Sequence, residues 1–142
     1  MCLTFEEQTD VVSTICRYAR SIDAADIPAV LDCFTNDASL SYEDGRLFVT
    51  GRAAAETFFR NSLSGPSTHL LSNHGFERSG SAIVVTCSAI ACVCREQGVV
   101  TTRGLVYVFT CVRTESGTRI AKLQHSLKWV CQSLGGPGSG IS

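Results

Sequence analysis

Three residues in the first half of the chain have side chains suited to proton transfer: Asp23, Tyr42 and His69. A carboxylate that bonds one imidazole nitrogen fixes the tautomer of the ring and makes the other nitrogen a base that works near neutral pH. A tyrosine hydroxyl can donate a hydrogen bond to a carbonyl or to a developing oxyanion. The less specific interpretation is that Asp23 caps a helix break, His69 is a structural histidine and Tyr42 is a half-buried core residue.

A second set of candidates falls further along the chain: Arg103, Tyr107 and His125. Tyr107 is either a second phenol donor or a core tyrosine. Arg103 shares a strand face with Tyr107, so a buried Arg103 would need a partner such as an acidic group on a ligand; otherwise it is a surface or interface residue. His125 is a candidate second proton carrier, although a lone histidine on a strand is more often structural. Apolar substrate contacts are predicted from Phe58, Phe109 and Leu123.

Three helices are predicted to precede the sheet. Thr4 and Glu7 have the spacing of a capping box, at the start of a helix over residues 4–22. Asp26 is the predicted N-cap of a second, short helix, and an alanine-rich third helix covers residues 52–63. The apolar stripe of the first helix is predicted to be Val12, Ile15, Cys16, Ala19 and Ile22.

The remaining chain alternates with the period of strands. A hairpin-like entry connects residues 39–42 to 47–49. Four longer strands follow, at 69–77, 82–95, 99–113 and 119–132. This order predicts an α+β fold, in which three N-terminal helices cover a cone-shaped, curved antiparallel sheet with an apolar pocket at its open end.

Period two assigns the side chains of the last two strands to faces. On the third long strand, one face carries Thr101, Arg103, Leu105, Tyr107, Phe109 and Cys111. On the fourth, one side carries Arg119, Ala121, Leu123, His125, Leu127 and Trp129.

Composition excludes several classes of protein. The net charge of −1 provides no footprint for nucleic acid or an anionic membrane, and no apolar run approaches the roughly 20 residues of a membrane span. We therefore expect a cytoplasmic protein. The eight cysteines include no CxxC and no histidine at zinc spacing, so reduced thiols and no metal site are expected. Residues 1–133 should form a single domain, and the Gly/Ser/Pro-rich residues 134–142 a flexible tail.

Four segments together resemble a known family: YARSIDAADIPAVLDCFTNDASLSY, GRAAAETFF, STHLLSN and SGTRIAKLQHSLKW. They are similar to the SnoaL-like, scytalone dehydratase-like branch of the nuclear transport factor two-like superfamily. The resemblance covers residues 6–132 and implies a cone-shaped α+β domain, a homodimer or homotrimer, and chemistry on small hydrophobic ring compounds without a metal or nucleotide cofactor.

The resemblance also assigns roles to residues. Asp23 matches the Asp that pairs with a histidine, His69 matches that histidine, and Tyr42 matches the tyrosine that binds a catalytic water. Three departures indicate a different substrate. Ile22 stands where the dehydratase pattern has tyrosine, the second strand lacks the second histidine, and Tyr107 replaces an asparagine.

The preferred hypothesis is a cofactor-independent cyclase, isomerase or dehydratase that acts on a small hydrophobic oxygenated intermediate of secondary metabolism. An epoxide hydrolase or epoxide-opening cyclase of the same fold is one alternative. The absence of an acidic residue facing the interior from the later strands speaks against it, although those strands do carry Arg103. A non-catalytic ligand-binding or dimerisation module is another.

Overall fold

A computed structural model of the chain describes residues 2–63 and 65–134, and the side chain of residue 134 lies outside this description. The helices are α1 (Phe5–Asp23), α2 (Ile27–Asp32) and α3 (Arg52–Ser62). The strands are β1 (Phe34–Tyr42), β2 (Leu47–Thr50), β3 (Ser67–Ser79), β4 (Ala82–Cys94), β5 (Val99–Thr114) and β6 (Gly117–Leu134). The predicted flexible tail, 134–142, lies outside the described residues apart from the backbone of its first residue.

The predicted fold class, helices packed on a curved sheet, is confirmed. The six strands lie in the order β2-β1-β6-β5-β4-β3. One pair differs from the antiparallel prediction, because β1 and β6 run parallel and the sheet is therefore mixed. The parallel pair joins the first strand of the chain to the last, so the N-terminal hairpin and the four-strand meander form one continuous sheet.

The predicted capping box begins α1. The Thr4 amide donates to Glu7 Oε2 at 2.8 Å, and the Glu7 amide donates to Thr4 Oγ1 at 3.1 Å. The buried stripe is rotated slightly from the predicted one, since Val12 and Cys16 are only half-buried. The buried apolar residues of α1 are Val11, Ile15, Tyr18, Ala19 and Ile22. This stripe places Tyr18 toward the sheet.

The first strand begins earlier than the predicted residue 39, because α2 ends at Asp32 and β1 starts at Phe34. Asp26 caps α2 as predicted, by accepting from the Ala29 amide at 3.1 Å. The chain is already extended at Phe34, which is buried and pairs with Ile120 of β6. Burial and the parallel pairing therefore outweigh the local turn preference of the Asn-Asp that follows.

The sequence left open which face of β5 is the inner one, and burial identifies it as the face of Thr101, Arg103, Leu105, Tyr107, Phe109 and Cys111. Five of these six residues are buried and Arg103 is half-buried, whereas on the other face Gly104 is buried and the residues from Val106 to Thr110 are half-buried. The predicted shared face of β6 is wrong at both ends, because register shifts in the β5–β6 pair break the alternation. Leu123 and His125 keep the inner face, but Trp129 lies opposite Gly104 on the outer face.

Trp129 packs over a glycine on the outer face of the sheet. A Cβ at Gly104 would overlap the Trp129 indole, whose side chain is about half exposed. Replacing Gly104 with alanine should push the ring off the sheet, at a cost of about 1 kcal/mol of lost packing. Because Trp129 is the only tryptophan, its fluorescence should shift to the red. Gly75→Ala is the matched control, since its Cβ would meet nothing closer than Thr86 O at 3.9 Å; an equal shift there would contradict the packing.

No helix in the part of the chain that the structure describes is long and apolar enough to cross a membrane.

Candidate active site

A cavity of about 260 Å³ opens between the helices and the inner face of the sheet. Its polar lining residues are Tyr18, Tyr42, Glu43, Ser62, Ser67, His69, Arg103, Tyr107 and His125. Its apolar lining includes Ile22, Leu47, Phe58, Phe59, Leu63, Ala91, Val93 and Leu105. The volume is slightly below the range of roughly 300–1,000 Å³ typical of ligand pockets, so it suits a compound of one or two rings.

Asp23 and His69 form a hydrogen-bonded pair at the wall of this cavity. Asp23 is the last residue of α1, and His69 lies on β3. His69 Nδ1 is 2.6 Å from Asp23 Oδ1, and the two side chains are 13% and 24% exposed. With Nδ1 bound to the carboxylate, Nε2 is the ring nitrogen left free to serve as a base. The structure thus brings these two predicted residues together.

Two further donors fix the Asp23 carboxylate. The His69 backbone amide donates to Oδ2 at 2.8 Å, and Ser67 Oγ donates to Oδ1 at 2.9 Å. The carboxylate cannot rotate without breaking one of these bonds, so the imidazole is held in one orientation. The contact of Ser67 with Asp23 was not predicted from the sequence. The position of Ser67 two residues before His69, on the same face of a strand, was the available signal.

All three tyrosines of the chain line the cavity. The Tyr18 and Tyr42 hydroxyls are 3.2 Å apart, and the Tyr42 ring lies between those of Phe58 and His125, at centroid distances of 4.7 and 4.9 Å. The place of Tyr18 in the cavity lining was likewise not predicted. The spacing of Tyr18, three residues after Ile15, placed it on the apolar stripe of α1 and could have revealed it.

Burial keeps the three phenols neutral. It is the main cause that raises the pKa of Tyr18, Tyr42 and Tyr107 above the ordinary value of 10.0. A neutral phenol is a hydrogen-bond donor, so these groups can stabilise negative charge that develops on a substrate oxygen. Tyr107 lies opposite His125 in the β5–β6 pair, with ring centroids 5.3 Å apart.

His125 is a buried histidine that is neutral near pH 7. Burial is the main cause that lowers its pKa below 6.5, and the charge of Arg103 acts in the same direction. Its Nδ1 is buried and has no hydrogen-bond partner among the described residues. The ring therefore offers an unsatisfied nitrogen beside the cavity.

Acid should destabilise the protein through His125. Well above pH 6.5 the His125 ring is neutral in both the folded and the unfolded chain. As the pH falls, the unfolded chain binds a proton at the ring first, because the pKa of His125 is lower in the folded chain than in the unfolded one. The free energy of unfolding should therefore decrease between pH 6.5 and that lower pKa. His125→Gln should make the decrease smaller in urea titrations at pH 7.5 and 5.5. An unchanged pH dependence would contradict this assignment.

The other predicted contact residues divide into two groups. Phe58 and Arg103 line the cavity. Phe109 and Leu123 do not, and this corrects their predicted contact with the substrate: both are fully buried, they pair with each other across β5 and β6, and the Tyr18 ring covers Phe109 at a centroid distance of 5.8 Å. They belong to the core beneath the cavity. Alternation groups these residues with Tyr107 and His125 on one face, but it does not show how far along the strands the cavity extends.

No group of three or more His, Cys, Asp or Glu side chains among the described residues could hold a metal ion. The eight cysteines are all free thiols.

Comparison with known proteins identifies the family. A family model described as the SnoaL-like domain matches residues 4–124. The chain belongs to the SnoaL-like family. The match runs from the N-cap of α1 into the first half of β6 and ends one residue before His125. No curated protein matches this SnoaL-like chain in sequence.

Solved structures confirm that the SnoaL-like chain has the nuclear transport factor two-like, cystatin-like fold. A proposed aromatic ring hydroxylase from Novosphingobium aromaticivorans is 24% identical with a TM-score of 0.86, over 93% of this chain and 96% of that one. A proposed scytalone dehydratase from the same organism is 15% identical with a TM-score of 0.79, over 96% and 95%. A hexachlorocyclohexane dehydrochlorinase is 14% identical with a TM-score of 0.80, over 92% and 94%.

Proposed function

We propose that this SnoaL-like protein is a cofactor-independent acid-base enzyme that moves a proton on a small, hydrophobic, oxygenated ring compound. The Asp23–His69 pair carries the proposal, because an oriented imidazole at the wall of a cavity is the arrangement that general base catalysis needs. Such a step can begin the cyclisation, isomerisation or dehydration of an intermediate of secondary metabolism.

In the first step, His69 Nε2 removes a proton from a carbon next to a carbonyl. The electron pair of the C–H bond forms a carbon–carbon double bond, and the π electrons of the carbonyl move onto its oxygen. The hydroxyls of Tyr42 and Tyr107 donate hydrogen bonds to the resulting enolate. Asp23 stabilises the imidazolium that forms. The imidazolium then returns the proton to another carbon or to a departing hydroxyl group, which completes an isomerisation or a dehydration.

The surroundings of the base support this sequence. Tyr18 donates to or accepts from Tyr42 at 3.2 Å and so positions the Tyr42 hydroxyl. The phenols remain protonated because burial raises their pKa. Two solved structures with this fold bear names that denote elimination, a dehydratase and a dehydrochlorinase, and base removal of a proton is compatible with both reactions.

The proposal can be tested with 2-tetralone, a two-ring ketone, in D2O. Exchange of its α-protons for deuterium requires a base for the C–H bond and donors for the enolate oxygen, and it needs no other reactant. NMR should show exchange that is first order in protein and faster than with an equal concentration of free imidazole. Binding of the ketone without faster exchange would contradict the enzyme proposal and favour a non-catalytic binding module.

A further inference from the structure

Arg103 is a cation at the cavity wall that lacks a counter-ion. It is half-buried on the inner face of β5 and lines the cavity. Among the residues that the structure describes, no carboxylate lies within ion-pair distance of its guanidinium, whereas Arg52, Arg60, Arg78 and Arg113 each have one. The cavity-lining carboxyl of Glu43 is exposed and does not pair with Arg103.

The neighbours of Arg103 do not neutralise it either. Burial raises the pKa of Tyr107, which therefore stays a neutral phenol, and lowers the pKa of His125, which stays a neutral imidazole. His125 Nδ1 also has no partner among the described residues. A guanidinium without a counter-ion and a buried imidazole nitrogen without a partner among the described residues therefore stand at the same cavity.

Strand register places Arg103 in line with the base. His69 lies opposite Ala91 in the β3–β4 pair, and Ala91 lies opposite Arg103 in the β4–β5 pair. Two strand spacings separate His69 from Arg103, so their Cα atoms are roughly 9–10 Å apart. Ala91 is the small residue between them, and it leaves the floor of the cavity open to a flat ring.

We propose that the substrate is a one- or two-ring compound with a carboxylate, which binds Arg103 while the reactive C–H bond lies at His69. The planar guanidinium suits a carboxylate because it can donate two parallel hydrogen bonds. The separation of Arg103 and His69 then selects a compound whose carboxylate and acidic carbon lie on opposite sides of the ring system. This substrate class rests on the proposed function, since it specifies what the same cavity takes.

Binding of 2-naphthoate and of its neutral amide, 2-naphthamide, tests the carboxylate subsite separately from catalysis. The imidazole NMR signals of His69 and His125 should shift on binding, while His74, which does not line the cavity, should not respond. We expect 2-naphthoate to bind roughly 10–100-fold more tightly than the amide, as for a lost charge-assisted hydrogen bond.

Arg103→Met should abolish that preference, because it should weaken binding of 2-naphthoate far more than binding of the amide, while Arg103→Lys should restore part of it. Arg60→Met, which removes a charge from the exposed Arg60–Glu56 pair on α3, is the matched control and should keep the full preference. Equal binding of the two ligands to the unchanged protein, or no binding of either, would overturn the carboxylate subsite. A preference for 2-naphthoate without exchange of 2-tetralone would instead overturn only the proposed enzyme function.

Discussion

Replacing His69 with alanine is expected to slow the deuterium exchange of 2-tetralone by ~10²–10⁴-fold, the usual contribution of a general base. The variant removes the free Nε2 beside the cavity but leaves the phenols in place. The fold should survive, because Ser67 still donates to Asp23 Oδ1 when the ring is gone. Exchange rate constants and far-UV circular dichroism would check the two expectations together.

His74→Ala is the control for loss of a histidine from β3. His74 stacks on Phe76, does not line the cavity and should leave the exchange rate unchanged. Full activity in His69→Ala would remove the proposed mechanism. Equal losses in the two variants would indicate a structural effect of altering the strand.

Asp23→Asn is expected to cause the second large loss, about 10²–10³-fold, with little change in shape. The carboxylate accepts bonds at both oxygens: Oδ1 from Ser67 and His69 Nδ1, and Oδ2 from the His69 amide. An amide has only one oxygen. If the NH₂ group of the introduced asparagine faces the His69 ring, it donates to Nδ1, so the ring proton moves to Nε2 and the free basic nitrogen is lost. If the NH₂ group instead faces the backbone, it meets the His69 amide N–H, and two donors face each other without an acceptor.

Nitrogen NMR of His69 would show which tautomer the Asp23→Asn variant adopts, and 2-tetralone exchange would give the loss of rate. Asp26→Asn is a control three residues away, because asparagine is as good an N-cap as aspartate and the Asp26 carboxylate accepts from the Ala29 amide at the start of α2. An Asp23→Asn variant with normal exchange and the wild-type tautomer would show that Asp23 has no part in orienting the base.

The sequence predicted the element order well because its signals are local. Capping residues and strand alternation predicted α1, β4 and β5, and the family resemblance predicted the pairing of Asp23 with His69. The parallel β1–β6 pair joins residues more than 80 positions apart, and no local pattern reports such a partner. The face of Trp129 was missed for a related reason, since the register shift that moves it depends on two strands at once.

Within the site, it was easier to predict which side chains share the inner face than which of them reach the cavity. Tyr42, Tyr107 and Arg103 were expected at the cavity and line it. Phe109 shares their face, yet it lies beneath the cavity because the Tyr18 ring of α1 covers it. That contact depends on how the helix packs on the sheet, and period two contains no information about it.

The hydrogen bond from the His69 amide to Asp23 also protects the sheet. β3 is an edge strand, paired only with β4, and an edge strand presents unpaired amides to which another chain can add. At His69 the outward amide is already bound by the last residue of α1. The carboxylate that holds the His69 ring in one orientation therefore also occupies an amide of the sheet edge, so the proposed orienting role and the protection of the edge depend on the same side chain.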